Sequence, residues 1–142
     1  MRVTVAARAP EVSRRAVEAW VRSVLADEGK RRASVSVTFL TEARMEALNR
    51  SARQRAGATD VIAFRFDHPK ALVGDVYVCP AVARRAARNE GVAAAQELLR
   101  LVVHGVLHVC GHEHPNDDSR TRSTMWKLQE RYVQRLAGSG VT

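Results

Sequence analysis

The amino-acid sequence predicts an α+β fold, in which a roughly four-stranded mixed sheet packs against about four or five helices. Two patterns carry this prediction. Hydrophobic residues alternate along short stretches, as in strands, and recur every three to four residues along longer ones, as in helices. The two middle strand candidates also follow each other with no helix between them, so strands and helices do not strictly alternate. With 142 residues, the chain is expected to form one domain over residues 1–142.

The N-terminal part of the chain contains two strand candidates separated by a helix. RVTVAA, residues 2–7, alternates in hydrophobicity and predicts the first strand. Residues 13–29 place apolar side chains at helical spacing between a serine and a glycine, which predicts an amphipathic helix. ASVSVTFL, residues 33–40, has the strongest alternation and predicts the second strand.

A short helix, a loop and a hairpin are expected next. Thr41 can cap a short helix over residues 41–49, and residues 50–58 have no apolar period, which predicts a basic loop. DVIAFRF, residues 60–66, and GDVYVC, residues 74–79, are the next strand candidates. Because the connection between them is short, we expect the two strands to pair in an antiparallel hairpin.

The C-terminal part of the chain is predicted to be helical. Two helices are expected over residues 81–90 and 92–110, and a terminal helix over residues 120–138. Asp117 or Asp118 is the expected N-cap of the terminal helix, because a carboxylate can accept a bond from the free N–H groups of a first turn.

Charge and hydropathy limit the classes of protein to which the chain can belong. A net charge of +8 and a pI near 10.7 favour a polyanionic partner such as RNA, although a general abundance of arginine explains the charge equally well. No stretch approaches the roughly 18 apolar residues of a membrane span, and the N-terminus has no signal peptide. We therefore expect a cytoplasmic protein with no membrane partner, and Cys79 and Cys110 as reduced thiols.

The stretch HGVLHVCGHEH contains four of the five histidines in the chain. His104 and His108 are four residues apart on the long predicted helix, so they project from one face and can share a metal ion. Gly111 can adopt the left-handed conformation that reverses the chain. His112 and His114 are therefore both candidates for a third ligand, and the metal site is predicted at the end of a long central helix.

Three neutral imidazoles with one open position are typical of a catalytic zinc site, because zinc then acidifies a bound water. A zinc finger is excluded, since the chain contains no CxxC pair. Cys110 lies about 200° from His108 around the helix and is predicted to face the core. The metallopeptidase pattern HExxH has the same histidine spacing, but here Gly105 occupies the position of its glutamate base.

HGVLHVCGHEH resembles the signature of the YbeY-type family of bacterial endoribonucleases, or rRNA maturation factors, whose usual form is HGxLHLxGYDH. The resemblance extends through QELLRLVV, through LNRSAR followed by TDVIAF, and through GDVYV, over roughly residues 37–135. It implies that His104, His108 and His114 bind one zinc ion per chain. His112 stands where the family more usually has tyrosine, and Glu113 where it more usually has aspartate.

The resemblance also implies a function and partners. It implies a zinc-dependent endoribonuclease for single-stranded RNA, acting in maturation of the 3′ end of small-subunit rRNA and in ribosome quality control. Its partners would be RNA, the small ribosomal subunit and the assembly factors of that subunit, with no DNA expected. Two alternatives remain open: a zinc hydrolase of another substrate, such as a peptidase, and a non-enzymatic ribosome assembly factor with a structural metal.

Other residues are candidates for catalysis and for RNA binding. The resemblance implies that Arg53 acts beside the metal, where its guanidinium fork can bind two phosphate oxygens. Glu113 is a candidate proton acceptor or a support for a ligand. Arg50, Arg53 and Arg55 are the predicted path of the RNA strand. A second basic patch is predicted at Arg84, Arg85 and Arg88, where a solvated helix face is the alternative.

Overall fold

The computed structural model describes residues 1–53, 57–114 and 118–138. The strands are β1 (Arg2–Ala6), β2 (Ala33–Phe39), β3 (Val61–Phe66) and β4 (Leu72–Val78). The α-helices are α1 (Arg14–Asp27), α2 (Glu42–Arg53), α3 (Pro80–Glu90), α4 (Ala94–Val109) and α5 (Thr124–Ala137). A 3₁₀ helix, Asp118–Arg122, precedes α5. The order of strands and helices agrees with the predicted order.

The four strands form one mixed sheet in the order β1-β2-β4-β3. β2 pairs in parallel with both β1 and β4, and β3 pairs antiparallel with β4. The α+β fold with a four-stranded mixed sheet and the antiparallel hairpin are therefore confirmed. Side chains alternate across the sheet, so Val37 of β2 and Val76 of β4, which are partners in the register, both lie in the core.

The long helix α4 lies against one face of the sheet and contacts α1, α3 and α5 as well. Two glycines allow this close approach. A Cβ atom at Gly105 of α4 would collide with Val76, and one at Gly74 of β4 would collide with Val109 of α4. Because the helix and the strand meet at these glycines, the central position of α4 that the sequence predicted is confirmed.

The opposite face of the sheet is covered in part by α2. Met45 of α2 packs with Ile62 of β3 and with Cys79 in a separate buried cluster. Successive side chains of β3 point to opposite faces, so Ile62 belongs to this cluster while Ala63 packs against the core under α4. The hydrophobic contacts of α2 therefore determine where its basic C-terminal end lies.

The predicted end of α2 was wrong, and with it the predicted start of the basic loop. The helix continues past Asn49 to Arg53, so Arg50 lies on a helix and not in a basic loop. Asn49 is 5% exposed, and its side-chain amide donates a hydrogen bond of 2.9 Å to the carbonyl of Gly57. The asparagine thus connects Gly57 to the helix, where local pattern suggested that Asn49 ended the helix.

The predicted N-cap of α5 was also wrong. Ser123 caps the helix, because its hydroxyl accepts a 3.1 Å bond from the backbone N–H of Trp126. Asp118 begins the preceding 3₁₀ helix, and Asp117 lies outside the described residues. Two other boundaries shift by two residues each: β4 begins at Leu72, where the register with β2 begins, and α4 begins at Ala94.

Both cysteines are free thiols, as predicted. Cys79 is fully buried, and Cys110 packs against the core, as its angular position on the helix indicated. Burial raises the pKa of the Cys110 thiol to about 11. The thiolate form that binds metals is therefore disfavoured at neutral pH.

No single helix in the described ranges has both the length and the apolar composition needed to cross a membrane. The helices α3 and α4 satisfy that test only as a pair, and the pair is bent by 119°.

Candidate metal centre

Three histidines converge at the C-terminal end of α4. His104 and His108 project from one face of the helix, and Gly111, with a φ of 104°, reverses the chain so that His114 returns to them. The ring centroids are 4.6 Å apart for His104 and His108, and 5.0 Å from each of these to His114. One ligand atom of each residue lies within 4.8 Å of the other two.

The donor set of this cluster fits a divalent metal ion. The Nε2 atoms of His104 and His108 are 3.1 Å apart, close to the roughly 3.3 Å expected for two nitrogens on one tetrahedral zinc. All three imidazoles are half-buried. Within the described residues, no cysteine, carboxylate or further histidine joins the cluster, so its three protein ligands would leave one coordination position open.

A buried glutamine on α5 orients His104. The Nδ1 atom of His104 lies 2.6 Å from Oε1 of Gln129, which is 1% exposed. The amide nitrogen of Gln129 donates to Glu130, 3.0 Å away, and Glu130 pairs with Arg100 at 2.9 Å. Since the amide oxygen can only accept, Nδ1 of His104 carries the proton and Nε2 keeps its lone pair facing His108.

The protonation state of His104 also suits a metal ligand. Burial of the ring is the largest effect and lowers the pKa of His104, while the hydrogen bond to Gln129 acts in the opposite direction. The neutral ring is therefore favoured, and only a neutral imidazole can bind a metal ion.

His112 has a different environment. Its Nε2 lies 2.5 Å from Oε1 of Glu28, which follows α1, and the hydroxyl of Tyr132 on α5 donates to the other carboxylate oxygen at 2.8 Å. The ring of His112 therefore points to α1, and of the two candidates for a third ligand, it is His114 that joins His104 and His108. Glu28 connects α1 and α5 to the turn that carries His114.

The structure describes the other predicted site residues to different extents. Glu113 is exposed. Arg50 is exposed and forms an ion pair of 2.6 Å with Glu46, one turn earlier on α2. Arg53 is the last residue of α2, but its side chain, like the whole of Arg55, lies outside the described residues. The structure thus places the backbone of α2, and the predicted roles of Arg53 and Arg55 stay predictions.

The second predicted basic patch is largely neutralised. Arg84 forms a two-bond ion pair with Glu11, and Arg85 forms one with Glu42 at 2.6 and 3.0 Å. Arg88 is exposed. Because two of these guanidinium groups already bind carboxylates, they connect α3 to neighbouring segments and offer fewer donors to a phosphate. The solvated helix face, given above as the alternative, describes the patch better.

Gly105 occupies the position at which a zinc peptidase carries its glutamate. It faces β4, and even a Cβ atom there would collide with Val76. A glutamate at this position cannot fit without displacing α4 from the sheet. The structure therefore supplies a physical reason for the absence of the peptidase base.

Sequence reasoning missed three residues beside the cluster: Gln129, Arg120 and Trp126. They line a cavity of about 130 Å³ that also has His104 in its wall. Only Gln129 had a local signal, because it is a polar residue four positions after Met125 on the apolar stripe of α5. Arg120 and Trp126 reach the site through the packing of α5 on α4, which no local pattern shows.

Comparison with known proteins matches the chain to one family. The family model described as Endoribonuclease YbeY matches residues 2–137. A relative named Endoribonuclease YbeY from Synechococcus sp. (strain CC9605) is 34% identical over 134 residues, covering 82% of this chain and 80% of the relative. One of the same name from Chromohalobacter salexigens is 38% identical over 106 residues, covering 71% and 69%.

A solved structure has the same fold. The solution structure of TM1509 from Thermotoga maritima superimposes with a TM-score of 0.70 at 25% sequence identity, covering 96% of this chain and 89% of that protein. With the family model matched across nearly the whole chain and the histidines of the signature brought together in space, the chain belongs to the YbeY endoribonuclease family.

Proposed function

We propose that this protein is a zinc-dependent endoribonuclease that cleaves single-stranded RNA, with residues 1–142 acting as one catalytic domain. The observation that carries the proposal is the convergence of His104, His108 and His114, with one ligand atom each inside 4.8 Å, in a chain whose relatives are named endoribonucleases. We propose maturation of the 3′ end of small-subunit rRNA, and ribosome quality control, as its cellular roles.

The three histidines would hold one zinc ion per chain. Zinc bound by three imidazoles, with one position open, supplies a Lewis acid for a phosphate oxygen and makes a water acidic near neutral pH. The residues of the chain prepare this site. Gln129 keeps the proton of His104 on Nδ1, so that Nε2 is the ligand atom, and burial keeps the ring neutral.

Arginines and one glutamate are the proposed partners of the RNA. Negative charge grows on the phosphate oxygens during phosphodiester cleavage, and a guanidinium can bind two of these oxygens at once. Arg53 is the proposed catalytic arginine, and Arg50 and Arg55 are proposed to bind neighbouring phosphates, Arg50 after exchanging its exposed ion pair with Glu46. The exposed carboxylate of Glu113, next to His114, is the proposed proton acceptor.

The proposed partners are RNA, the small ribosomal subunit and its assembly factors, and the proposed location is the cytoplasm. The net charge of +8 supports a polyanionic partner. Phosphate contacts of this kind predict binding that weakens steeply with salt.

The experiment measures metal content by elemental analysis and cleavage of a labelled single-stranded RNA for the same preparations. His108→Ala is expected to lose zinc and cleavage together. His68→Ala is the matched control, because His68 is exposed on the β3–β4 connection outside the cluster, and should keep both. Cleavage of peptides or small esters without cleavage of RNA would support the zinc hydrolase of another substrate.

A second variant separates metal binding from catalysis. Arg53→Ala is expected to reduce RNA cleavage while zinc content stays near that of the wild type. Equal loss of zinc and cleavage would contradict the role given to Arg53. If folded His108→Ala protein still supported ribosome maturation in cells, the protein would be an assembly factor with a structural metal.

A further inference from the structure

We infer that the cavity beside His104 is a binding subsite for one nucleotide of the RNA, with Arg120 as its phosphate ligand and Trp126 as the wall against which the base packs. The inference rests on the proposed ribonuclease function and extends it. It assigns substrate contacts to residues of the 3₁₀ helix and α5, in addition to the predicted arginines of α2.

The position of the cavity is the first support. It has a volume of about 130 Å³, and His104 forms part of its wall, so a group bound there adjoins the metal centre. Trp126 and Leu101 give it apolar surface. When the scissile phosphate lies at the histidines, the adjoining nucleotide needs such a neighbouring site for its base and its own phosphate, and aromatic side chains stack bases of any sequence.

The charges in the cavity are the second support. Arg100 is fully engaged, because it pairs with Glu130 and Glu97. Arg120 is exposed and forms no ion pair with any residue in the described part of the chain. Like His104, it lies in the wall of the cavity. Among the described residues, no carboxylate pairs with Arg120, so Arg120 is the cation of this cavity that can offer its donors to a phosphate.

The contact between Arg120 and Trp126 is the third support. The guanidinium carbon lies over the indole ring, 5.8 Å from its centroid. A cation–π attraction of this kind uses none of the N–H groups of the guanidinium as hydrogen-bond donors to a carboxylate. The indole thus orients Arg120 before RNA binds, which reduces the side-chain entropy lost on binding.

The cavity also has two carboxylates, Asp60 and Glu97, which equal its two arginines in number. Oδ1 of Asp60 accepts the backbone N–H of Val61 at 2.8 Å, and Glu97 binds Arg100 at 2.8 Å. Each acidic group therefore already has a donor inside the protein. A phosphate entering beside Arg120 meets a cation oriented by an aromatic ring, next to the centre that the three histidines form.

The test uses indole fluorescence, because the chain has two tryptophans and Trp20 is only 1% exposed. A nucleoside 5′-monophosphate, and separately a short single-stranded RNA, is titrated into the zinc-loaded protein. Saturable quenching is expected in the wild type and its absence in Trp126→Phe. Trp126→Ala should weaken RNA binding, measured by anisotropy, at least about fivefold.

The arginine is tested by salt dependence. Arg120→Ala should lower the slope of log affinity against log salt by about 0.7, the value for one phosphate contact on a single strand. Arg131→Ala is the matched control, since Arg131 is also exposed and lies on α5, and it should keep the wild-type slope. Circular dichroism and zinc content show that each variant is folded and loaded.

The outcomes separate this subsite from the proposed function. Unchanged quenching in Trp126→Phe, or an unchanged slope in Arg120→Ala, in a protein that cleaves RNA overturns the subsite and leaves the ribonuclease intact. Nucleotide binding that depends on Arg120 and Trp126, in a protein that does not cleave RNA, supports the subsite and overturns the ribonuclease.

Discussion

The two halves of the histidine cluster are built differently. In the helical half, His104 and His108 are one turn apart on a buried helix, and His104 is oriented by a glutamine that is 1% exposed. In the loop half, His114 follows a glycine with a φ of 104°, and its turn is connected to the rest of the protein through the partly buried contact between His112 and Glu28.

The histidines of the helical half are therefore held by the helix itself and by the buried side chain of Gln129. In the loop half, the position of His114 depends on the chain reversal at Gly111 and on the carboxylate of Glu28. Gln129 is held on both sides, by His104 and by Glu130. Glu28 accepts bonds from His112 and from Tyr132 near the surface. Loss of the buried Gln129 contact is therefore expected to weaken metal binding more than loss of the partly exposed Glu28 contact.

The largest effect is expected for Gln129→Leu. The variant removes the acceptor of the His104 Nδ1 proton, and loss of such a partner typically weakens metal binding about 10–100-fold. Competition with a chromophoric chelator measures the affinity. Gln134→Leu, the same change at an exposed position of α5, is the control and should bind zinc as the wild type does. Equal affinities for the two variants would contradict the orienting role.

The next effect is expected for Gly111→Ala. A side chain at a φ of 104° strains the backbone by about 1–3 kcal/mol and displaces the turn that carries His114. Gly91→Ala is the matched control, because Gly91 also has a positive φ, of 68°, but lies between α3 and α4. Both variants should lose stability in urea unfolding, and only Gly111→Ala should weaken zinc binding.

A smaller effect on zinc binding is expected for Glu28→Ala. Removing the carboxylate leaves His112 and Tyr132 without their acceptor, which is expected to lower the free energy of unfolding by about 1–3 kcal/mol. Zinc affinity should fall by less than in Gln129→Leu. The neighbouring Asp27→Ala breaks an exposed pair with Arg135 and should cost less than about 1 kcal/mol. If Glu28→Ala lost more zinc affinity than Gln129→Leu, the contacts of the loop half would matter more to metal binding than those of the helical half.

The smallest effect is a pH dependence of the metal-free protein. Because burial lowers the pKa of His104, the unfolded chain binds a proton at this residue near pH 6.5 while the folded protein does not. Stability is therefore expected to fall as the pH drops below about 6.5, by at most about 1.4 kcal/mol per pH unit for this proton. Urea unfolding at several pH values should give a shallower dependence for His104→Gln, and identical slopes would rule out this contribution.

Local pattern predicted the sheet and helices well where burial is periodic. β2 and α1 have unbroken apolar periods, and both were predicted within a few residues. The pattern failed at the end of α2, because the hydrogen bond of Asn49 goes to Gly57 and not to its own helix. It failed at the start of α5 for a similar reason, since an aspartate and a serine are equally good caps by type.

The sequence by itself determined the α+β class, the pairing of His104 with His108 and the family signature, because residues four apart on a helix share a face whatever surrounds them. Local geometry left His112 and His114 both open, the family signature implied His114, and the tertiary structure brings His114 and not His112 to the cluster. The partners that decide it are distant in the chain: Gln129 is 25 residues from His104, and Glu28 is 84 from His112. Contacts over such separations depend on how α1, α4 and α5 pack, which no local spacing contains.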